Sequence, residues 1–283
     1  MVLGQAAYEA VVSADRVLRE LRHPDRRLEA LVGRPVAGGF RAAALALVPD
    51  EAEHGTLLNL LLDDLPGANL VAGYAMQRDP AWSDVQIPVE HLASLADLCA
   101  GWATGATILD ATRVEGTVPT PTTTPVPDDP PDPDGWHSRP RMVPGDMRRA
   151  RRLDLAADDV ETRLLRFDGH FRDSYLDPIG GEGSLHEYSV RGRYDPEARR
   201  IVDIEAEAHV LPWTECPRAL TSSTRLVGMA VADLRATVRA DFVGTSTCTH
   251  LNDVLRSLAD LPVLAAHLSE RASTVATPKD APT

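Results

Sequence analysis

The stretch "GTSTCTHLND" at 244–253 places a cysteine and a histidine two residues apart, at Cys248 and His250. The apolar residues that follow have helical spacing, which predicts that Cys248 lies at or just before a helix start. Free amides and the positive end of the helix dipole stabilise a thiolate there. A thiolate beside an imidazole is the minimum for nucleophilic catalysis. Side chains at i and i+2 diverge by about 200° on a helix, so the pair converges only if Cys248 stays in the extended chain.

Further groups that can transfer protons lie upstream. His186 and Glu187 are adjacent in "LHEYSV", which alternates as a strand does, so they lie on opposite faces and only one can point toward a shared site. A strand imidazole that faces a helix-start cysteine suits proton transfer near neutral pH. In the catalytic hypothesis, His250 or His186 is the general acid–base and Cys248 is the nucleophile or proton donor. Glu187 or Asp173 is the orienting carboxylate.

The segment "LPWTECP" at 211–217 ends a predicted strand, and its last proline opens the next helix at a favoured first-turn position. Strand ends beside helix starts are where pockets form in layered folds, so we expect this segment near the site. The candidate substrate-binding residues are Arg172, Trp213, Glu215 and Cys216.

Metal binding is a rival use of the same residues. A Cys2His2 zinc set would be tetrahedral. Its members would be Cys216, Cys248, His250 and either His186 or His209. The sequence has no CxxC or HExxH spacing to support it. A third interpretation is structural, with Cys248 as a small buried filler and His250 as a capping group.

The elements that must position these residues follow an α+β pattern. Residues 160–211 alternate in period two between turn signals, which predicts an antiparallel meander, and helical periods take over after it. We therefore expect antiparallel meander sheets packed against helices. A Pro- and Asp-rich linker at 116–135 separates an N-terminal half, 1–115, from a site-bearing half, 136–270. A tail at 271–283 is expected to be disordered.

Four arginines cluster just after the linker, at Arg148, Arg149, Arg151 and Arg152. One interpretation is a solvated edge that pairs with the acidic linker. The other is a clamp for an anionic ligand, because the guanidinium fork matches carboxylate and phosphate groups.

The two halves share a weak internal repeat. The tripeptide Leu-Val-Gly occurs in both, and aligning the halves on it and on a later shared asparagine sets Leu57 against His250 and Gly55 against Cys248. The fold is then expected to contain two degenerate strand-then-helix repeats. A helix start at this place does not require cysteine or histidine, which weakens the structural interpretation of Cys248 and His250. The C-terminal half is the expected site-bearing copy.

Composition excludes several classes of protein. The 283 residues carry a formal net charge of −13, which disfavours nonspecific binding to nucleic acid or anionic lipid. No window approaches the roughly 18 to 20 apolar residues of a membrane span. The first residues gain charge too early for a secretory leader, and three cysteines are too few for a disulfide scaffold, so a cytoplasmic location is expected. No nucleotide or flavin motif is present, so we expect no cofactor, with zinc as the alternative.

Four segments, "FRDSY", "HEYSV", "LPWTECP" and "TSTCTHLNDVLRSLAD", resemble an uncharacterised family of bacterial proteins. Its members tend to carry a His-acidic pair, a later Cys-Pro and a terminal Cys-Thr-His-Leu. The resemblance covers at least 136–268 and implies no established reaction. It implies that one motif set contains His186, Glu187, Cys216, Cys248 and His250.

These observations favour a cytoplasmic bacterial enzyme that acts on a small organic molecule, for instance one bearing a carboxylate or acyl group. The expected chemistry is acid–base or nucleophilic, of the lyase, isomerase or hydrolase type. One alternative is a zinc-dependent enzyme, or a structural zinc site, that uses the same Cys/His set. Another is a non-catalytic ligand-binding or assembly protein whose arginine cluster grips an acidic molecule or partner. A homodimer is left open as the assembly.

Overall fold

The computed structural model describes residues 3–79, 94–116, 118–126, 140–158 and 163–276. The chain divides into two compact units, Met1–Pro80 and Ala81–Thr283, and each is described by itself. Half of the predicted linker, residues 117 and 127–135, lies outside the described residues, as do residues 277–283 of the predicted tail, whereas 271–276 continue a helix.

The boundary between the units differs from the predicted one. The sequence analysis placed residues 1–115 in the N-terminal half, but 94–116 belong to the second unit. The reason is hydrogen bonding over long sequence separations. The backbone N–H of Ala100 donates to the carbonyl of Thr247 at 2.8 Å, which ties this segment to the C-terminal part of the chain.

The first unit begins with an antiparallel hairpin of β1 (Glu9–Val12) and β2 (Leu18–Arg22). A 3-10 helix follows at Arg26–Leu31, where the side chain of Asp25 accepts a hydrogen bond from the first turn. Four helices complete the unit: α1 (Phe40–Leu47), α2 (Pro49–Glu53), α3 (Leu57–Val71) and α4 (Gly73–Arg78). One core holds it together, formed by residues that include Leu18, Leu28, Phe40, Leu58 and Leu62.

The second unit is built on an antiparallel sheet in which consecutive strands pair, which confirms the predicted meander. The main strands are β4 (Met147–Ala157), β5 (Leu165–Asp177), β6 (Gly181–Asp195) and β7 (Arg200–Val210). A two-residue strand, β3 (Thr124–Pro125), pairs with the first residues of β6.

Helices precede and follow this sheet. The 3-10 segments are Ala100–Trp102, Cys216–Leu226, Val231–Asp233, Gly244–Ser246 and Leu258–Asp260. The α-helices are α5 (Thr107–Glu115), α6 (Leu234–Asp241), α7 (Thr249–Ser257) and α8 (Leu261–Ala276). The α+β fold class is therefore confirmed, with helices packed on one sheet.

The core of the second unit lies between the inner face of the sheet and the helices that follow it. Because side chains alternate along a strand, every second residue of β5 and β6 points inward. Phe167, Phe171, Tyr188 and Val190 do so, and they pack against Leu251, Val254 and Leu255 of α7 and against other apolar residues of the C-terminal helices. The same alternation decides which polar side chains of β5 and β6 lie beside α7.

Both units contain the same turn after their hairpins. In the first unit the N–H of Gly33 donates to the carbonyl of Leu18 at 2.7 Å, and in the second the N–H of Gly228 donates to the carbonyl of Ile201 at 2.8 Å. Both glycines have positive φ, 85° and 78°, and both end the shared Leu-Val-Gly tripeptide. The aligned sequences thus adopt the same local backbone.

The helices that follow these turns also correspond. The helices α1 and α6 each have eight residues. In α3 the buried residues include Leu58 and Leu62, and the alignment sets them against Leu251 and Leu255, which are buried in α7. The register of the sequence alignment therefore agrees with the buried faces of the two helices. None of the helices in the described part of the chain has the length and apolar character needed to span a membrane.

The shared turn can be tested by Gly228→Ala and Gly33→Ala. A Cβ at either position meets open space, so the cost comes from the left-handed backbone alone and should be about 1–2 kcal/mol. Chemical denaturation followed by circular dichroism measures it. The control is Gly180→Ala, whose Cβ would make ordinary contact with Asp177 at 3.5 Å without a left-handed φ. Equal stability of all three variants would contradict the assignment of one turn to both units.

Candidate active site

Three polar side chains meet on the inner face of the sheet beside α7. Asp173 of β5 lies directly across from His186 of β6, and α7 brings His250 against both. The distance from Asp173 Oδ2 is 3.7 Å to His186 Nδ1 and 3.8 Å to His250 Nε2. The two imidazole rings are stacked, with centroids 3.7 Å apart and planes 18° from parallel. The inner-face cluster is defined here as Asp173, His186 and His250.

A β-bulge aims His186 at this place. The pairing of β5 with β6 shifts after Asp173, where β6 contains one extra residue, Leu185. A second shift on the other side of β6 follows Glu187. Bulges of this kind redirect side chains and are frequent beside active sites. The strand that carries His186 is therefore irregular on both of its edges at this point.

Arg149 of β4 holds the carboxylate of Asp173 in a fixed orientation. Its Nε donates to Oδ1 at 2.8 Å and its Nη2 to Oδ2 at 3.0 Å, while Nη1 donates to Asp253 Oδ2 at 2.6 Å. Arg256 also donates to the carboxylate of Asp253, and Arg151 Nη1 donates to the backbone carbonyl of Asp253 at 2.6 Å. Two-point contacts of an arginine to a carboxylate combine strength with geometric specificity. This network fixes one wall of the cluster.

Both imidazoles are held in the neutral form. Burial lowers the pKa of His186 well below its ordinary value, and the neighbouring His250 and Arg149 lower it further. Burial also lowers the pKa of His250, and this outweighs the opposing effect of Asp173. Among the described residues, His186 Nδ1 and His250 Nε2 are buried without a hydrogen-bond partner. A neutral imidazole nitrogen can accept a proton or bind a metal ion.

Cys248 lies beside the cluster as a thiol. It is the N-cap residue of α7 with extended backbone, the condition under which its side chain can approach that of His250. The Sγ atom is 3.7 Å from His250 Nδ1, and the hydroxyl of Tyr188 donates to it at 3.3 Å. The sequence analysis expected the helix start to lower the pKa of Cys248. Burial instead raises that pKa to about 11, so a thiolate nucleophile is not favoured.

Glu187 and Arg172 lie on the opposite face of the sheet from the cluster. Glu187 Oε1 accepts from His170 Nε2 at 2.9 Å and from Arg172 Nη2 at 2.8 Å. Burial by itself would raise the pKa of Glu187, but these two hydrogen bonds outweigh it and lower the pKa to about 2. Of the adjacent pair in β6, His186 is the one that faces inward, so Glu187 does not orient the cluster.

The segment that contains Trp213, Glu215 and Cys216 contacts residues 101–107, which precede the sheet in the sequence. Glu215 accepts from the backbone N–H of Thr107 at 3.0 Å and from its hydroxyl at 2.9 Å, which caps α5. A Cβ on Gly101 would lie 2.7 Å from Cys216 Sγ and 3.7 Å from the Trp213 ring. This close packing explains the glycine and gives the three residues a structural role.

The structure does not bring together the Cys2His2 set that was expected from the sequence. In the described part of the chain, the side chains whose ligand atoms lie within 4.8 Å of one another are Asp173, His186 and His250. Cys216 lies outside this group, and burial raises the pKa of its thiol to about 12. The described ligand set for a metal is therefore two imidazoles and one carboxylate.

The four clustered arginines all have partners inside the protein. Arg148 donates to the carbonyl of Pro140 at 2.6 Å, and Arg152 lies 3.1 Å from the carboxylate of Asp154. Arg149 and Arg151 bind the aspartates and carbonyl described above. These four arginines pair with groups inside the protein, so their geometry does not favour an anion clamp.

Residues 147–264 match the model of a family described as protein of unknown function (DUF2889). The match confirms the resemblance to an uncharacterised family and begins at the first residue of β4. The matched residues include all members of the inner-face cluster, together with Arg149 and Cys248. No curated protein and no solved structure matches the chain.

Arg149, the residue that positions Asp173 in the second unit, was not among the site residues expected from the sequence. A signal was present, since Arg149 and Arg151 alternate with the same period as Leu153 and Leu155. That pattern places two arginines on a strand face that packs inward, where a charge requires a partner. The identity of the partner could not be read from the sequence, because Asp253 is more than 100 residues away.

The Arg149 network predicts a large loss of stability for Arg149→Leu. The substitution leaves Asp173 and Asp253 buried without their shared cation, and removal of one partner from a buried ion pair costs about 3–5 kcal/mol. The matched control is Arg148→Leu on the outer face, whose carboxylate partner is 3.5 Å away and for which about 1 kcal/mol or less is expected. Chemical denaturation of both variants gives the comparison. Similar losses of stability for both variants would show that the ion pairs of Arg149 do not stabilise the site.

Proposed function

We propose that this protein is an enzyme that acts on a small organic molecule, such as one bearing a carboxylate or acyl group, at the inner-face cluster. The reaction is of the lyase, isomerase or hydrolase type. Such reactions move a proton or add the elements of water beside a polarised carbon, and buried imidazoles and a carboxylate are suited to both.

One observation carries the proposal. The two units contain the same turn and helix, but where the second unit has His250 and Cys248 the first has Leu57 and Gly55. The local fold therefore forms without these polar groups. Burying ring nitrogens that have no hydrogen-bond partner in the described structure costs stability. Groups that cost stability and that the scaffold does not need are typical of functional sites.

The surrounding residues give each ring a defined role. Asp173, held by Arg149, faces both imidazoles and orients them. Cys248 contacts Nδ1 of His250, so a proton on Nδ1 leaves Nε2, which lies 3.8 Å from Asp173 Oδ2, as the unprotonated nitrogen. Tyr188 fixes Cys248 in turn through its hydroxyl. The reactive atoms of the cluster are then the two ring nitrogens nearest Asp173.

Turnover can be sought without knowing the substrate. Pools of small carboxylic acids and acyl esters are incubated with the purified protein in D2O and followed by proton NMR. We expect deuterium incorporation, double-bond migration, elimination or hydrolysis for one class of compound. His186→Gln and His250→Gln should lower the rate by about 100-fold or more, the scale of general acid–base catalysis. His267→Gln on α8, which pairs with Glu270 near the surface, is the control. A rate that the two cluster variants leave unchanged would refute the proposal.

The same proposal predicts that replacing His250 with an apolar residue costs little stability. His250→Leu removes a ring that lacks full hydrogen bonding among the described residues, so stability should fall by less than about 1 kcal/mol, or rise. Asn252→Leu two residues on should lose about 1–3 kcal/mol, because the side chain of Asn252 donates to the carbonyl of Phe242 at 2.8 Å. Denaturation with a chelator present compares them. If His250→Leu loses more than Asn252→Leu, His250 holds the fold and the main support for the proposed function is gone.

A further inference from the structure

We propose that Asp173, His186 and His250 bind one divalent transition-metal cation. The ligand atoms would be Oδ2 of Asp173, Nδ1 of His186 and Nε2 of His250. This set shares its residues with the proposed function and would supply its reactive centre, but metal binding can be measured without any substrate. It also differs from the Cys2His2 set expected from the sequence.

The distances fit a metal ion. Ligand atoms at about 2.1 Å from a tetrahedral ion are separated by about 3.4 Å. The two imidazole nitrogens lie 3.7 and 3.8 Å from Oδ2, and all three ligand atoms are within 4.8 Å of one another. The two distances to Oδ2 are therefore within a few tenths of an ångström of the value that one cation requires. Two imidazoles and a carboxylate with an open position are typical of catalytic zinc and of non-haem iron.

The two rings must turn to bind the cation, because the lone pair of an imidazole nitrogen lies in the plane of its ring. The rings are now stacked 18° from parallel, and both planes must contain the metal. Rotation about the Cβ–Cγ bonds achieves this. For His186 Nδ1 and His250 Nε2 the turn breaks no hydrogen bond formed within the described structure.

Two of the three ligands, His250 and Asp173, have partners of the kind found in metal sites. Ligating histidines donate their second ring nitrogen to a neighbouring group, and ligating carboxylates are themselves hydrogen-bonded. His250 Nδ1 lies 3.7 Å from Cys248 Sγ and 3.5 Å from Thr249 Oγ1, so a proton there has an acceptor. Arg149 binds both oxygens of Asp173 and still leaves Oδ2 facing the imidazoles. Asp173 is thus oriented before a cation arrives.

The charges indicate what completes the coordination. Arg149 balances the charge of Asp173, and histidine binds a metal ion as neutral imidazole, so the ligands do not cancel the charge of a divalent cation. A centre with residual positive charge favours an anion in its open position, such as hydroxide or the carboxylate of a substrate. Nitrogen ligands argue against magnesium or calcium, which prefer oxygen. Zinc and ferrous iron are therefore the cations to test.

Isothermal titration of the chelator-treated full chain with Zn²⁺, and anaerobically with Fe²⁺, tests the proposal directly. We expect one site per chain for at least one of these cations and no such site for Mg²⁺. Asp173→Asn, His186→Ala and His250→Ala should each weaken binding by about 100-fold or more, at or beyond the scale seen when the partners of metal ligands are removed. Circular dichroism establishes whether each variant is folded. If His250→Ala is not folded, His250→Leu is used in its place.

Two control variants make the assignment specific. Cys216→Ala should bind the cation as tightly as the unsubstituted protein, whereas the Cys2His2 set predicts loss. His267→Gln removes a half-exposed imidazole and should also leave binding unchanged, which excludes adventitious binding at the surface. No binding, binding of Mg²⁺ alone, or binding that the three ligand variants do not weaken would overturn the proposal.

The outcome is separable from that of the proposed function. A protein that binds the cation at this set, but converts no compound in the NMR assay, would retain the metal site and lose the function. A protein whose turnover depends on His186 and His250, but which binds neither cation and is insensitive to chelators, would retain the function and lose the metal site.

Discussion

The bridge from Arg149 to Asp173 and Asp253 is the interaction on which the rest of the site depends. It joins the consecutive strands β4 and β5 to α7, which lies much later in the sequence, through charges that are almost completely buried. Buried charges are costly unless each is paired with good geometry, so the bridge allows one arrangement of strand and helix. That arrangement is the one that brings His250 of α7 over His186 of β6.

The alternation of side chains along the strands then divides the polar residues into two groups. Neighbours in sequence, such as His186 and Glu187, end on opposite faces of the sheet. Glu187 is satisfied by His170 and Arg172 on the outer face, where each charge has a partner. On the inner face Asp173 has its partner in Arg149, but the ring nitrogens that approach it do not find one in the described structure. The paired polar groups of the outer face and the candidate site of the inner face are thereby carried by adjacent residues, Glu187 and His186.

Much of this organisation could be predicted from the sequence, because local patterns decide it. Period-two alternation predicted the meander, helical spacing predicted the helix after Cys248, and the shared tripeptide predicted the repeat. The position of Cys248 beside His250 follows from the N-cap geometry of α7. What could not be predicted depends on distant contacts. The pKa of Cys248 is raised by burial in the folded protein. The roles of Glu215 and Cys216 depend on contacts with Thr107 and Gly101, which lie far away in the sequence.

The comparison of the two units distinguishes residues that stabilise the shared fold from polar residues that occur at the candidate site. Both contain the turn at Gly33 or Gly228 and the buried leucines of the following helix, so these features stabilise the scaffold. Polar groups at the helix start occur in the second unit, where a strand face with Asp173 and His186 lies opposite them. A lone histidine on α7 would be an isolated polar group in an apolar core. Together with a fixed carboxylate and a second imidazole it forms the candidate site on which the proposed function rests.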